Sequence, residues 1–453
     1  MARLVSRSLV ALPLAAVCAL GACTPKNSIL ERDQHARAVL DTASTRFIVL
    51  ALGLGRSDSD YVDSFYGDST LRDSANAEAL TPAQVREQAE LEIQKLDAAP
   101  PPSEAKVTLA HRKYLRRQFE AMAFRARLVG GEHFTFDEES HGLYDATAPH
   151  LSDAELDTLV AKLETLLPGW GPLVDRYQRF RRALIIPPAR LDTVFKVAIA
   201  EARRRTLEHL ELPDSESFKV EYVHNQPWSG YNWYQGGYRS LIQVNVDLPI
   251  YADRALDLAC HEGYPGHHVQ NMLLEQEMVR RRHWREFTIL PLFSPTGMID
   301  EGSATVAASV AFPGRERQQF EKRVLFPLAG LDTTLYDRFD ALRTAMESLS
   351  LAQVENARAY LDGRVTREQL IERIMKYELQ ERPRAEHSVA FIERYRTYRV
   401  NYPLGHRLVL DWLDANGGSE ANPARRWELY SQIFTTPTLP SDLAVPASAN
   451  APH

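Results

Sequence analysis

His261-Glu262-Gly263-Tyr264-Pro265-Gly266-His267-His268 is the stretch on which the reading of this chain turns. A His-Glu pair with more histidine within two turns resembles H-E-x-x-H. In that helical motif two histidines on one face hold a zinc ion and the Glu between them serves as general base. The spacing here differs. Position 265, where the second ligand would stand, is proline, and the next histidines are 267 and 268. On a regular α-helix His267 would point about 120° away from His261, and His268 would share its face but lie about 10.5 Å further along the axis. Neither could easily share one metal with His261. Pro265, however, does not fit inside a regular helix, because it lacks an N–H and its ring clashes with the carbonyl of His261. Gly266 adds backbone freedom. A two-residue bulge at Pro265-Gly266 would carry His267 to the place of the second ligand.

The rest of the chain narrows the setting. It has 453 residues, is 44% hydrophobic and 25% charged, and carries a net charge of −7. There is no long basic run, so nucleic acid is not an expected partner. Residues 1–22 read as a secretory signal: Arg3 and Arg7 precede an apolar core at 9–20, too short to span a membrane. The ending Leu20-Gly21-Ala22-Cys23 resembles a bacterial lipobox, which makes Cys23 the lipidated N-terminus. Cleavage there removes two arginines and no acid, taking the net charge from −7 to about −9. Thr24 after the cysteine points, by resemblance to other lipoproteins, to the outer membrane facing the periplasm. Besides Cys18 and Cys23 there is only Cys260, so disulfides are not expected. Cys260 reads as packing beneath the His261 segment.

Local signals organise the remainder. Residues 23–40 read as a tether and the start of a first helix, and 41–216 as a helical N-terminal part. Thr81-Pro82-Ala83-Gln84, Ser152-Asp153-Ala154-Glu155 and Thr366-Arg367-Glu368-Gln369 are helix-start signals. Residues 217–435 read as the catalytic part. It opens with alternating segments at 218–224, 231–234 and 241–248, which predict a small sheet. Helices follow from about 252 to 412. Residues 436–453 read as a flexible tail. The strand at 243–248, just before His261, is a candidate sheet edge on which a peptide could pair. No G-x-S-x-G elbow, P-loop or dinucleotide fingerprint is present.

The His261–His268 stretch with Val269-Gln270 also resembles the hallmark of a large bacterial family known as domain of unknown function 885, itself similar to the zincin metallopeptidases. The family's second hallmark, Glu-Gly-Trp-Ala, is approached by Glu301-Gly302-Ser303-Ala304. Its third, Tyr-x-x-Gly opening a helix, is matched by Tyr402-Pro403-Leu404-Gly405. The resemblance spans roughly residues 215 to 415. It departs at Ser303, Val306 and Ala308, where the family has Trp, Tyr and Glu. It implies a mainly α fold with a small β-sheet, a zincin-like helical metallopeptidase architecture with a helical N-terminal lobe.

On this reading zinc is held by His261, His267 and Glu301, with a fourth position open. Glu301 sits in an Ala- and Val-rich helix, where an unpaired carboxylate would be costly. His268 is the second choice as metal or substrate contact. Asp257, four residues before His261, could orient a ligand imidazole. Glu262 is the general base, and Tyr402, by its match to the family, the oxyanion donor. Asn245, Arg399 and His406 are substrate-binding candidates. The expected activity is zinc-dependent hydrolysis of peptide bonds. The alternatives are a peptide-binding envelope lipoprotein with a degenerate site and a zinc amidase on non-peptide amides.

Overall fold

Short-range signals set most helix starts. Thr81, Ser152 and Thr366 each accept a hydrogen bond from the backbone N–H three residues on, and the side chains of Gln84, Glu155 and Gln369 bond back. Each reciprocal pair satisfies two amide donors that a helix start otherwise leaves free. The helices so opened are Pro82–Ala98, Asp153–Leu166 and Arg367–Tyr377. A fourth box of this kind, at Thr135, starts Phe136–Tyr144. The structure is a computed structural model and describes residues 26–99, 106–226 and 228–445. The signal at 1–22 and the lipid site Cys23 lie outside the described residues. The chain is already helical at Lys26, so most of the expected tether belongs to the first helix, Lys26–Leu54.

The fold is mainly α with small sheets. The first sheet joins β1 (Val62–Phe65) antiparallel to β5 (Ile289–Pro291). Neither strand is foreseen by the sequence reading. The second holds β2 (Ser217–Val223), β3 (Gly230–Tyr234) and β4 (Arg239–Asn245) in the order β2-β4-β3. β2 runs parallel to β4 and β3 antiparallel to it. β4 is therefore the middle strand, with its hydrogen bonds used on both sides. The sheet edge expected just before His261 is instead β3. Alternation along β4 buries Ser240, Ile242 and Val244 on one face.

The expected boundary between residues 216 and 217 does not separate two bodies. One core packs Phe47, Leu50, Leu115, Phe119 and Met122 with Phe293, Met298, Ile371, Ile392 and Tyr398. Another packs Val194, Phe195 and Ala198 of the Pro188–Leu207 helix with Leu256, Val269, Met272, Val306 and Trp427. Each core draws from both sides of the boundary. Nor does a loose tail begin at 436. Leu439 and Leu443 are buried, and Lys113 pairs with Asp442 at 2.5 Å.

Candidate metal centre

The helix Ala252–Leu258 widens into a π-turn at Ala259–Gly263, breaks, and restarts as His267–Leu274. Single π-turns are frequent at functional sites because they re-aim a side chain within a helix. Gly266 donates its N–H to the Cys260 carbonyl at 2.9 Å. A Cβ at this position would stand 2.0 Å from the His261 carbonyl oxygen, so only glycine permits this approach. The break brings the His261 and His267 rings to 4.7 Å between centroids, nearly perpendicular.

Glu301 comes from the helix Pro295–Ala311, and Tyr402 heads the helix Pro403–Ala415. These helices touch at glycines. A Cβ on Gly302 would lie 2.5 Å from the Gly405 carbonyl carbon, and one on Gly405 would lie 2.8 Å from the Gly302 Cα. The glycines following Glu301 and Tyr402 thus form one close backbone contact that holds both side chains at the site. Gly405→Ala is expected to destabilise the protein by about 1–3 kcal/mol, the usual cost of overpacking. A denaturant midpoint equal to wild type would show that the helices can part at no cost.

Three atoms converge. Glu301 Oε2 lies 3.3 Å from His261 Nε2 and 3.8 Å from His267 Nε2. One ligand atom from each residue falls within 4.8 Å of the other two. Glu301 Oε2 is buried and accepts no hydrogen bond from the described residues, while Oε1 accepts one from the Tyr398 hydroxyl at 2.7 Å. His267 Nδ1 faces Gln270 Oε1 at 3.1 Å, and Gln270 Nε2 donates to the Tyr430 hydroxyl at 3.2 Å. That amide orientation puts the imidazole proton on Nδ1 and leaves the Nε2 lone pair facing the cluster.

Carboxyls crowd this place. Burial, aided by the charge of Glu301, raises Glu262 to about 7. Burial together with Glu301 and Glu262 raises Asp63 to about 7 as well. Asp300 is pushed well above the usual range by burial and by Glu301. Burial would raise Glu301 too, but the His261 and His267 imidazoles and the Tyr398 hydroxyl hold it at about 2. Burial and the charge of His261 bring His267 down to about 4, the neutral form a metal ligand requires. A buried excess of acid is costly without a positive partner. The unpaired Oε2, the neutral His267 and this excess fit a divalent cation held by His261, His267 and Glu301. Two histidines and a carboxylate suit zinc.

Glu262 stands beside the cluster under edge strand β3. A Cβ on Gly230 would be 2.9 Å from Glu262 Oε1, and Asn232 Nδ2 donates to the Glu262 carbonyl at 2.6 Å. Burial, with Glu301, keeps the Tyr402 phenol un-ionised. The remaining candidates lie elsewhere. His268 is fully buried and turned into the sheet, with Nδ1 2.8 Å from Ser240 Oγ and Nε2 3.0 Å from Glu216 Oε2. It is a cross-link and not a member of the cluster. Asn245 spends its amide on the Gln226 and Trp228 carbonyls at 2.9 and 3.1 Å. Arg399 is buried in an ion pair with Glu378. Asp257 pairs with Arg317 at 2.7 Å and orients no imidazole. His406 is half-buried and feels Asp411 and Asp257. Cys260 is buried, and burial raises its thiol far from the reactive range.

Three contributors escape the sequence reading. Tyr398 comes from a 3₁₀ turn, Arg396–Asn401, one turn before Tyr402. Asp63 comes from β1 and accepts from the Tyr231 hydroxyl. Tyr430, on Pro423–Thr435, fixes Gln270. The only signal for any of these was the Gln270 of the motif.

No protein-family model matches the chain, and no curated protein matches it in sequence. Among solved structures, a "putative lipoprotein" from Colwellia psychrerythraea superposes with a TM-score of 0.50 at 14% identity, covering 80% of this chain and 68% of that one. An M32 carboxypeptidase from Deinococcus radiodurans R1 gives 0.45 at 15% identity over 92% of this chain and 94% of its own. A "putative lipoprotein of unknown function" from Shewanella oneidensis gives 0.41 at 12% identity over 80% and 76%. At 14% identity the likeness to the Colwellia protein is one of fold alone.

Proposed function

We propose that this chain is a zinc-dependent hydrolase of peptide bonds carried on a lipid anchor in the bacterial envelope. The observation that carries the reading is the convergence of His261 Nε2, His267 Nε2 and the unpartnered Glu301 Oε2 beside the buried Glu262. Zinc, when bound, supplies a Lewis acid that makes water nucleophilic near neutral pH. The protein's own groups do the rest. Glu262, ionised once positive charge stands nearby, takes the proton of the attacking water and passes it to the leaving amine. The Tyr402 hydroxyl donates to the carbonyl oxygen as negative charge gathers on it. Tyr398 and the Gln270–Tyr430 pair hold Glu301 and His267 in place. Among the described residues β3 is paired on one side only, so a substrate backbone can add to its free edge above Glu262.

The direct test is zinc content together with turnover on a peptide library. Stoichiometric zinc with no amide cleaved would replace the enzyme with a binding lipoprotein. Ser303, Val306 and Ala308 favour that second reading, because all are buried where the resembled family has larger or charged groups. Cleavage of non-peptide amides alone would favour the amidase. Tyr402→Phe is expected to keep the metal and slow turnover about a hundredfold, the scale of one lost oxyanion donor. Unchanged kcat would remove Tyr402 from the chemistry.

The anchor is argued from the sequence. No described helix is long and apolar enough to cross a membrane. Mass spectrometry of the mature protein from membranes is expected to show a diacylated or triacylated Cys23. An unmodified chain beginning at Cys23 would remove the anchor.

A further inference from the structure

Neither the zinc chemistry nor the core explains the aromatic run on β3. Asn232 donates to the Glu262 carbonyl at 2.6 Å, and Tyr234 is buried with its hydroxyl on Glu275 at 2.5 Å, so these two face inward. Alternation along the strand puts Tyr231 and Trp233 on the opposite face. Their ring centroids lie 4.5 Å apart. Trp228, just before the strand, continues the row 5.4 Å from Tyr231. Trp228 and Tyr231 are half-buried, and Trp233 is 40% exposed. Each ring is held in place. The Trp233 indole N–H donates to Gln243 Oε1 at 3.0 Å, and the Tyr231 hydroxyl donates to Asp63. The Trp228 carbonyl accepts from the Asn245 amide at 3.1 Å.

Rings fixed at a surface bury apolar area on a partner with little loss of side-chain freedom. The indole N–H of Trp233 and the hydroxyl of Tyr231 are already bonded, so ring faces and carbon edges are what they offer a ligand. The row is continuous with the metal centre. Gly230 and Asn232, on either side of Tyr231, are the residues that lie against Glu262. A peptide added to the free edge of β3 would set two of its residues opposite Tyr231 and Trp233 on the aromatic face. These two residues stand two apart, because side chains on one face of a strand alternate. The one opposite Tyr231 is next to the reacting amide. We infer that Trp228, Tyr231 and Trp233 form the specificity wall of the site, which takes large apolar side chains at two alternate positions of an extended peptide. The inference rests on the peptide-hydrolase reading. Two carboxyls flank the row, Asp63 at the Tyr231 hydroxyl and Glu221, which accepts from Gln243 at 3.4 Å. They would draw a cation over the rings if the wall served cations instead, so lysine is the decisive competitor.

The test uses the zinc-loaded full chain and a set of peptides with free ends, built of Ala and Ser, in which Phe or Lys replaces each position in turn. Mass spectrometry of the products locates the cleaved amide. Phe is expected to raise kcat/KM over the all-small parent by about 10- to 100-fold at two positions separated by one residue, the scale of burying a large apolar side chain. Trp233→Ala is expected to collapse the gain at one of them. Trp170→Ala, which removes a 94% exposed tryptophan from a different loop, is expected to leave both gains. Dissociation constants of the same peptides for zinc-loaded Glu262→Gln read the preference without turnover. Preferential binding of the Phe peptides with no cleavage by wild type would retire the hydrolase and keep the wall. Cleavage with any other positional pattern, Lys matching Phe, gains that survive Trp233→Ala, or neither binding nor cleavage would overturn the inference. The positional pattern is read on the wild-type chain, so it decides the matter even if Trp233→Ala fails to fold.

Discussion

Glu262→Gln is expected to keep its zinc and lose peptide hydrolysis by about 100-fold or more, the usual contribution of a positioned general base. The substitution is close to isosteric, so the packing of Gly230 over Oε1 survives. The Asn232 hydrogen bond goes to the backbone carbonyl of Glu262, which the change does not touch. What disappears is the proton acceptor. Glu262 is not among the atoms that converge at the cluster. Its loss removes one of four crowded carboxyls and still leaves Glu301 with both histidines. The measurement pairs elemental analysis with kcat on a cleaved peptide. Equal rates in wild type and variant would mean that hydrolysis arises elsewhere, in a contaminant or at another site. Loss of zinc with loss of rate would make Glu262 a ligand and leave the base unassigned.

Much of this could be read from the sequence, for identifiable reasons. The capping boxes at Thr81, Ser152 and Thr366 act within four residues, so each can be recognised without the fold. The break at Pro265-Gly266 follows from proline chemistry alone. Other features depend on distant partners. The order β2-β4-β3 pairs two strands in parallel across an intervening one, and no local pattern distinguishes it from a simple meander. Asp63 reaches the site only because β1 pairs with β5, more than two hundred residues on. Arg399 and Asn245 looked available because the sequence does not show that Glu378 and the loop carbonyls at 226 and 228 occupy them. Tyr398 was overlooked for the opposite reason. Its i−4 relation to Tyr402 is meaningful only once the 3₁₀ turn shows which residue approaches Glu301.

His267→Ala is expected to weaken zinc binding by more than about 100-fold, beyond the 10- to 100-fold typical of losing a group that only supports a ligand. His261→Ala and Glu301→Gln should match it, since a three-ligand site reduced to two gives up both affinity and geometry. His268→Ala provides the contrast. Its imidazole bridges Ser240 and Glu216, so removal leaves a buried hydroxyl without that partner and Glu216 with only Tyr264 and Arg203. The expected cost is about 1–3 kcal/mol of stability, as for a buried hydrogen-bond partner removed, with zinc still bound. Competition with a metal-sensitive dye gives the affinities, and thermal unfolding of the metal-free proteins gives the stabilities. The metal-free comparison matters because bound zinc would itself raise the melting point and mask the packing loss. If His268→Ala empties the site while His267→Ala retains zinc, the register across Pro265-Gly266 is wrong by one residue. His267 could then not face Glu301, and the Gln270–Tyr430 pair that holds it would have no bearing on the metal.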